Sequence, residues 1–128
     1  MVFVKLFYPE AEAKSVVSDF AYMTICMEGK DILKCLDGYI NKQGNGLNDD
    51  MGCYFACELD PKDPDRIDDS VLVYSENNIT VKKVYLSEVE FFYEFLKAFE
   101  RAAFLFDDNM WGLIQKKLSQ LKMVLCPN

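Results

Sequence analysis

The segment Leu86-Ser87-Glu88-Val89-Glu90 constrains the fold more than any other, because it carries a complete helix start within five residues. Ser87 is placed to cap, Glu90 stands three residues on to return the bond, and Leu86 can staple against Phe91. Beyond it Phe92, Phe95, Leu96, Phe99, Ala102, Ala103 and Phe106 recur at helical spacing, while Glu90, Glu94, Lys97 and Arg101 fall on the other side. A helix with that much aromatic surface on one face must bury it, so this segment is expected to anchor the core. The same stripe would serve as a base-stacking platform only beside a basic groove, which the chain lacks.

The remaining elements arrange themselves around this helix. Val2 to Tyr8 reads as a short strand closed by Pro9, and Val16, Val17, Phe20, Met23 and Met27 give a helix from about Ala13 to Met27. Gly29 ends it, and Asp31 can cap a second helix through Ile32, Leu33, Leu36, Tyr39 and Ile40, which Gly44-Asn45-Gly46 stops. Cys53-Tyr54-Phe55-Ala56-Cys57, within Gly52 to Leu59, reads as a buried strand. Val71-Leu72-Val73-Tyr74 and Ile79-Thr80-Val81 flank Asn77-Asn78, a pair suited to a two-residue hairpin turn. Lys83 falls where an apolar residue is due, which predicts a bulge near Lys82-Lys83. Asp107-Asp108-Asn109 then recaps the chain for a last helix through Met110, Ile114, Leu118 and Leu121 to about Val124, with Lys116, Lys117 and Lys122 on a solvated face. The expected fold class is α+β, one domain over residues 1–128: two N-terminal helices, a small antiparallel sheet with a hairpin, and two C-terminal helices.

Charge and residue usage remove several function classes. The chain has no histidine, so Ser-His and Cys-His catalysis are excluded and the commonest nitrogen ligand for metals is missing. Its 21 acidic residues against 14 basic ones leave a net charge of −7, which repels nucleic-acid phosphates. Five cysteines, at positions 26, 35, 53, 57 and 126, are an odd set for a disulfide framework and fit reduced thiols in the cytoplasm. Cys53 and Cys57 are spaced to share a strand face, but further soft ligands at matching positions are missing, so a bound metal is not expected. Gly44-Asn45-Gly46 follows a helix instead of a strand and runs into Asp49 and Asp50, which makes it a turn and not a phosphate loop. Apolar runs are interrupted by charge before they reach membrane-spanning length, and the pattern of a secretory signal is absent.

One stretch departs from a generic acidic surface. Between Glu58 and Asp69 stand six acids, Glu58, Asp60, Asp63, Asp65, Asp68 and Asp69, against Lys62 and Arg66, a local excess of four negatives. Pro61 and Pro64 reduce the freedom this loop must lose on binding, so its carboxylates can meet a cationic partner at low entropic cost. Asp49 and Asp50 are possible neighbours of the same surface. The spacing lacks the glycine and terminal glutamate of an EF-hand, which argues against calcium. A solvated connector, an acidic adaptor for another basic protein, and a small carboxylate- or thiol-dependent enzyme remain as other readings; no enzyme motif favours the last.

The order of these features carries a resemblance. Gly29-Lys30-Asp31-Ile32-Leu33, Gly44-Asn45-Gly46-Leu47, Cys53-Tyr54-Phe55, the Asp60-Pro61 acidic loop, a short hairpin and Glu90-Phe91-Phe92-Tyr93-Glu94-Phe95-Leu96 resemble the immunity proteins paired with ribonuclease toxins of bacterial contact-dependent growth inhibition. The likeness spans roughly residues 15 to 105, and the hairpin is more basic, through Lys82 and Lys83, than the pattern implies. The resemblance implies a protein that binds a cognate toxin domain and blocks it, with no catalysis and no cofactor; since nothing in the cysteines or the charge pattern demands obligate assembly, a monomer in a 1:1 complex is expected. A ribonuclease must present cations to its polyanionic substrate, and an acidic loop can compete for them.

Overall fold

A computed structural model describes residues 10–48, 51–76 and 81–127. The strand expected over Val2 to Tyr8 lies outside the described residues. Helix α1 (Glu10–Glu28) is followed by a single 3-10 turn (Gly29–Asp31) and α2 (Ile32–Ile40). Strands β1 (Gly46–Asn48) and β2 (Met51–Phe55) come next, then β3 (Ser70–Glu76) and β4 (Val81–Ser87), α3 (Glu88–Ala102) and α4 (Asp108–Leu125). The strands form one antiparallel sheet in the order β1-β2-β3-β4. The fold is therefore α+β, with helices before and after the sheet.

Helix α3 begins as its sequence dictates: the Ser87 hydroxyl accepts from the Glu90 amide at 3.1 Å and donates to the Glu90 carboxylate at 2.9 Å. Its aromatic face is buried, with Phe91, Phe92, Phe95 and Phe99 all essentially inaccessible. Phe95 sits at the hub of this core, with ring centroids 4.9 Å from Phe91, 5.1 Å from Tyr39, 6.1 Å from Phe20 and 6.3 Å from Phe99. Helix α1 lies alongside α3 in the same direction, since Lys14 pairs with Glu90, Phe20 with Phe95, and Tyr22 with the Arg101 guanidinium. Cys53, Phe55, Val71, Val73, Val84 and Leu86 turn one face of the sheet into this core. Helix α4 is capped by Asp107, whose side chain accepts from the Met110 amide at 2.8 Å, and buries Ile114, Leu118, Leu121 and Leu125.

Several local expectations need correction. The second helix is continuous with the 3-10 turn, and Asp31 makes no side-chain cap. That helix ends at Ile40, with Lys42 at φ 54°, and Gly46 already opens a strand that the residue pattern did not announce. The β2 strand stops at Phe55, so Cys57 falls in a 3-10 turn and is exposed while Cys53 is buried; the two thiols do not share a strand face. No bulge interrupts Lys82-Lys83, because β4 pairs with β3 in unbroken register from Glu76↔Val81 to Ser70↔Ser87. Lys83 is simply an outward position beside inward Val84. The turn expected at Asn77-Asn78 lies outside the described residues. Glu94, expected on the side of α3 opposite the aromatic face, is buried, its charge met by Lys97 at 2.9 Å. Lys117 is not merely solvated either, since it reaches Asp37 of α2 at 2.6 Å and ties α4 to that helix.

Gly44 fixes how α2 hands the chain to the sheet. A Cβ built there would stand 1.9 Å from the Cys53 carbonyl oxygen, a backbone atom that cannot swing aside. Gly44→Ala is therefore expected to cost about 1–3 kcal/mol or more through backbone displacement. Urea unfolding checks this: a midpoint equal to that of the unmodified chain would show that the α2–β1 connection does not pack as described.

Candidate protein-binding surface

The face of the sheet turned away from the helices is built by strand alternation. Tyr54 on β2, Leu72 and Tyr74 on β3, and Lys83 and Tyr85 on β4 all project to this side, because Tyr54 pairs with Leu72, Leu72 with Tyr85, and Tyr74 with Lys83. Tyr54 and Tyr74 stack, with ring centroids 5.7 Å apart and planes 21° from parallel. Gly52, directly across from Tyr74, makes room for that ring, since a Cβ there would come within 2.5 Å of the phenol oxygen. The Tyr74 ring therefore rests on bare backbone.

The acidic loop folds back beside this face and is ordered by its own side chains. Asp60 Oδ1 accepts from the Lys62 amide and Asp63 Oδ1 from the Asp65 amide, both at 2.8 Å, two local turns that aspartate forms readily. Arg66 braces the interior of the loop: its guanidinium donates to the Leu59 carbonyl at 2.8 Å and to Asp68 at 3.0 Å. Lys83 Nζ reaches Asp65 Oδ2 at 2.9 Å, and the Tyr85 hydroxyl donates to the Asp65 carbonyl at 2.8 Å, so β4 pins the loop at one residue. Asp69 leaves the loop at φ 62°, a left-handed conformation that aspartate tolerates better than most residues.

The acids singled out in the sequence thus divide. Glu58 holds the fold, its Oε1 accepting from the Gly44 and Phe55 amides at 2.8 Å each. Asp65 and Asp68 carry the ion pairs, although the Asp68 side chain remains 80% exposed. Asp60 and Asp69 are exposed and Asp63 is half-exposed on the same loop. Asp49 and Asp50 lie outside the described residues. Tyr54, Tyr74 and Lys83, which line this face, are not among the residues the acidic pattern singles out. The pattern of Tyr54 between Cys53 and Phe55 held the signal, because strand alternation places it opposite two core positions.

Two neighbouring hollows meet at the tyrosines. One, of about 550 Å³, is lined by Tyr54, Leu59, Asp63, Asp65, Leu72, Tyr74 and Lys83. The other, of about 170 Å³, is lined by Tyr54, Tyr74, Cys53 and the Gly44-Asn45-Gly46 turn. The combination of flat aromatic surface and carboxylates suits a protein partner with cationic side chains.

Buried thiols and phenols set the alkaline behaviour of this region. Burial pushes the Cys53 thiol up to about 12 and the Cys35 thiol to about 11, and it holds the Tyr39 phenol well above its ordinary range. Tyr85 is raised to about 12, first by burial and then by the carboxylates of Asp65 and Asp63. The folded chain therefore holds these protons more tightly than the unfolded chain. The stability linked to them is full below about pH 9 and is lost as pH rises toward 12. Urea midpoints measured from pH 7 to 11 are expected to be level to about 9 and then fall; a rising midpoint would contradict the placement of these groups. The same burial leaves Cys35 and Cys53 as unreactive thiols, and among the described residues no three Cys, Asp or Glu side chains gather in a group able to hold a metal ion.

A comparison with protein families matches residues 12–102, most of the chain and all of the sheet and loop just described, to a family of CDI immunity proteins. The comparisons with curated proteins and with solved structures return no match.

Proposed function

The chain belongs to the CDI immunity proteins, and from that premise we propose that it binds a cognate, cationic ribonuclease toxin domain in a 1:1 complex and masks the surface the toxin uses to hold RNA. The observation that carries this reading is the ordered acidic loop, whose carboxylates stay at the surface while Arg66 and Tyr85 hold its backbone and Lys83 holds the Asp65 carboxylate. A prearranged acidic surface competes for the cations that an RNA-cleaving enzyme must present, and pays little ordering entropy in doing so. Inhibition of this kind needs no catalytic residue and no cofactor in the inhibitor. It acts where the toxin meets its RNA, in the cytoplasm.

The test is RNA cleavage by the toxin domain encoded in the chain's own genomic neighbourhood, with this protein added in steps. Cleavage is expected to fall to background at one equivalent. Undiminished cleavage in the presence of a folded excess would overturn the proposal, and neutralisation of a toxin that does not cleave RNA would overturn its ribonuclease part.

A further inference from the structure

We propose that the outer face of the sheet is the toxin-docking face, and that its centre, where the stacked rings of Tyr54 and Tyr74 meet the carboxylates of Asp63 and Asp65, receives an arginine side chain of the toxin. The inference rests on the immunity reading above and adds to it the place and the chemistry of the contact.

Among the described residues, α1 and α3 close the other face of the sheet, whereas this side keeps a hollow and an exposed Tyr54. Its larger hollow, about 550 Å³, has room for a long side chain and the segment that carries it. The walls differ in kind. On one side stand two parallel phenol rings, with Tyr54 itself 42% exposed. On the other stand Asp63, with one carboxylate oxygen engaged by a backbone amide, and Asp65, with one oxygen held by Lys83. An incoming cation must therefore work with a flat aromatic surface and with carboxylate oxygens at its edge. Guanidinium does both, since it is planar, stacks on aromatic faces and donates in a fork to carboxylates, whereas ammonium is a strongly hydrated point charge. Lys83 already supplies one ammonium to Asp65, which leaves Asp63 and the exposed Tyr54 ring as the groups that meet the guanidinium.

The receptor is prearranged. Gly52 lets Tyr74 lie against the strand, Tyr85 fixes the Asp65 backbone, and tyrosine loses little side-chain freedom on binding. Tyrosine and arginine are also the residues on which binding energy concentrates at protein interfaces.

Isothermal titration of the cognate toxin domain into the full chain tests the proposal, with Tyr54→Ala and Asp63→Asn as test variants and Phe104→Ser, 76% exposed at the helical corner, as control. Both test variants touch exposed or half-exposed positions, and circular dichroism verifies that they fold. Each is expected to weaken binding at least about tenfold, and the control to leave it within about twofold. An arginine-to-lysine scan of the toxin is expected to find one position whose loss is not additive with Tyr54→Ala. Unchanged affinity for both test variants would overturn the docking face while leaving the immunity reading intact. Loss of binding in the control alone would move the interface to the helical corner and overturn it as well. Weakened binding without a coupled arginine would overturn the arginine assignment, whereas failure of the unmodified chain to bind the toxin would overturn the immunity reading itself.

Discussion

Phe95→Ala is expected to lower the unfolding free energy by about 3–5 kcal/mol, the largest stability loss of any single truncation considered. The ring is fully buried and meets four other aromatic side chains drawn from α1, α2 and α3, so its removal leaves a cavity where three helices converge. Lost edge-to-face and tilted ring contacts add to the transfer and cavity costs. A domain of this size has about 5–15 kcal/mol in total, so the variant should still fold at low temperature and melt about 10–20 °C earlier. Phe104→Ala provides the contrast, since that ring is 76% exposed and its loss should stay within about 0.5 kcal/mol. Thermal melts of the two variants check the assignment, and equal effects would show that the aromatic stripe is not the core.

The second large effect concerns association. Replacing Asp60, Asp63, Asp65, Asp68 and Asp69 together by asparagine should slow binding to the toxin by on the order of tenfold to a hundredfold at low salt and flatten its salt dependence. The fold should tolerate the change. Asparagine keeps the Oδ1 acceptors that close the turns at Asp60 and Asp63, and it suits the positive φ of Asp69 better still. The surface pairs of Asp65 with Lys83 and Asp68 with Arg66 contribute less than about 1 kcal/mol each. In about 1 M salt, where screening reaches within about 3 Å, the two proteins should associate at similar rates. Stopped-flow mixing across a salt series checks this. Should the variant keep both the rate and the salt slope, the loop is a connector and the interface lies elsewhere.

The elements that were legible in the sequence are those whose signal is local. The Ser87 and Glu90 capping box, the aromatic stripe as far as Ala102 and the Asp107 cap form as the residue pattern predicts, whereas Ala103 and Phe106, expected on the same helical face, lie in and just after a 3-10 turn. What escaped depends on partners distant along the chain. The β1 strand exists because Gly46 and Asn48 find a ladder on β2, and its few residues carry no period of their own. Lys83 looked like a defect because its charge fell in an apolar series, yet Asp65, eighteen positions earlier, accounts for it. Glu94 is the exception, since its partner Lys97 is only three residues on; its burial follows from the packing around α3 and not from its charge.

The candidate site was half visible for the same reason. A run of acids between prolines is a compositional signal, and it is what singles out Asp60, Asp63, Asp65, Asp68 and Asp69. That Glu58 instead holds two backbone amides, and that Tyr54 and Tyr74 stack beside the loop, follows from the register of β2 with β3. Register is a long-range property, set by burial of the opposite face.

Survival of toxin-expressing cells measures the central claim most directly. Bacteria that produce the toxin domain from the chain's own genomic neighbourhood are expected to recover full colony counts when this protein is co-expressed, and to lose that recovery with the fivefold asparagine variant at equal protein level. Killing that continues unchanged in cells containing an excess of the folded, unmodified protein would contradict the account.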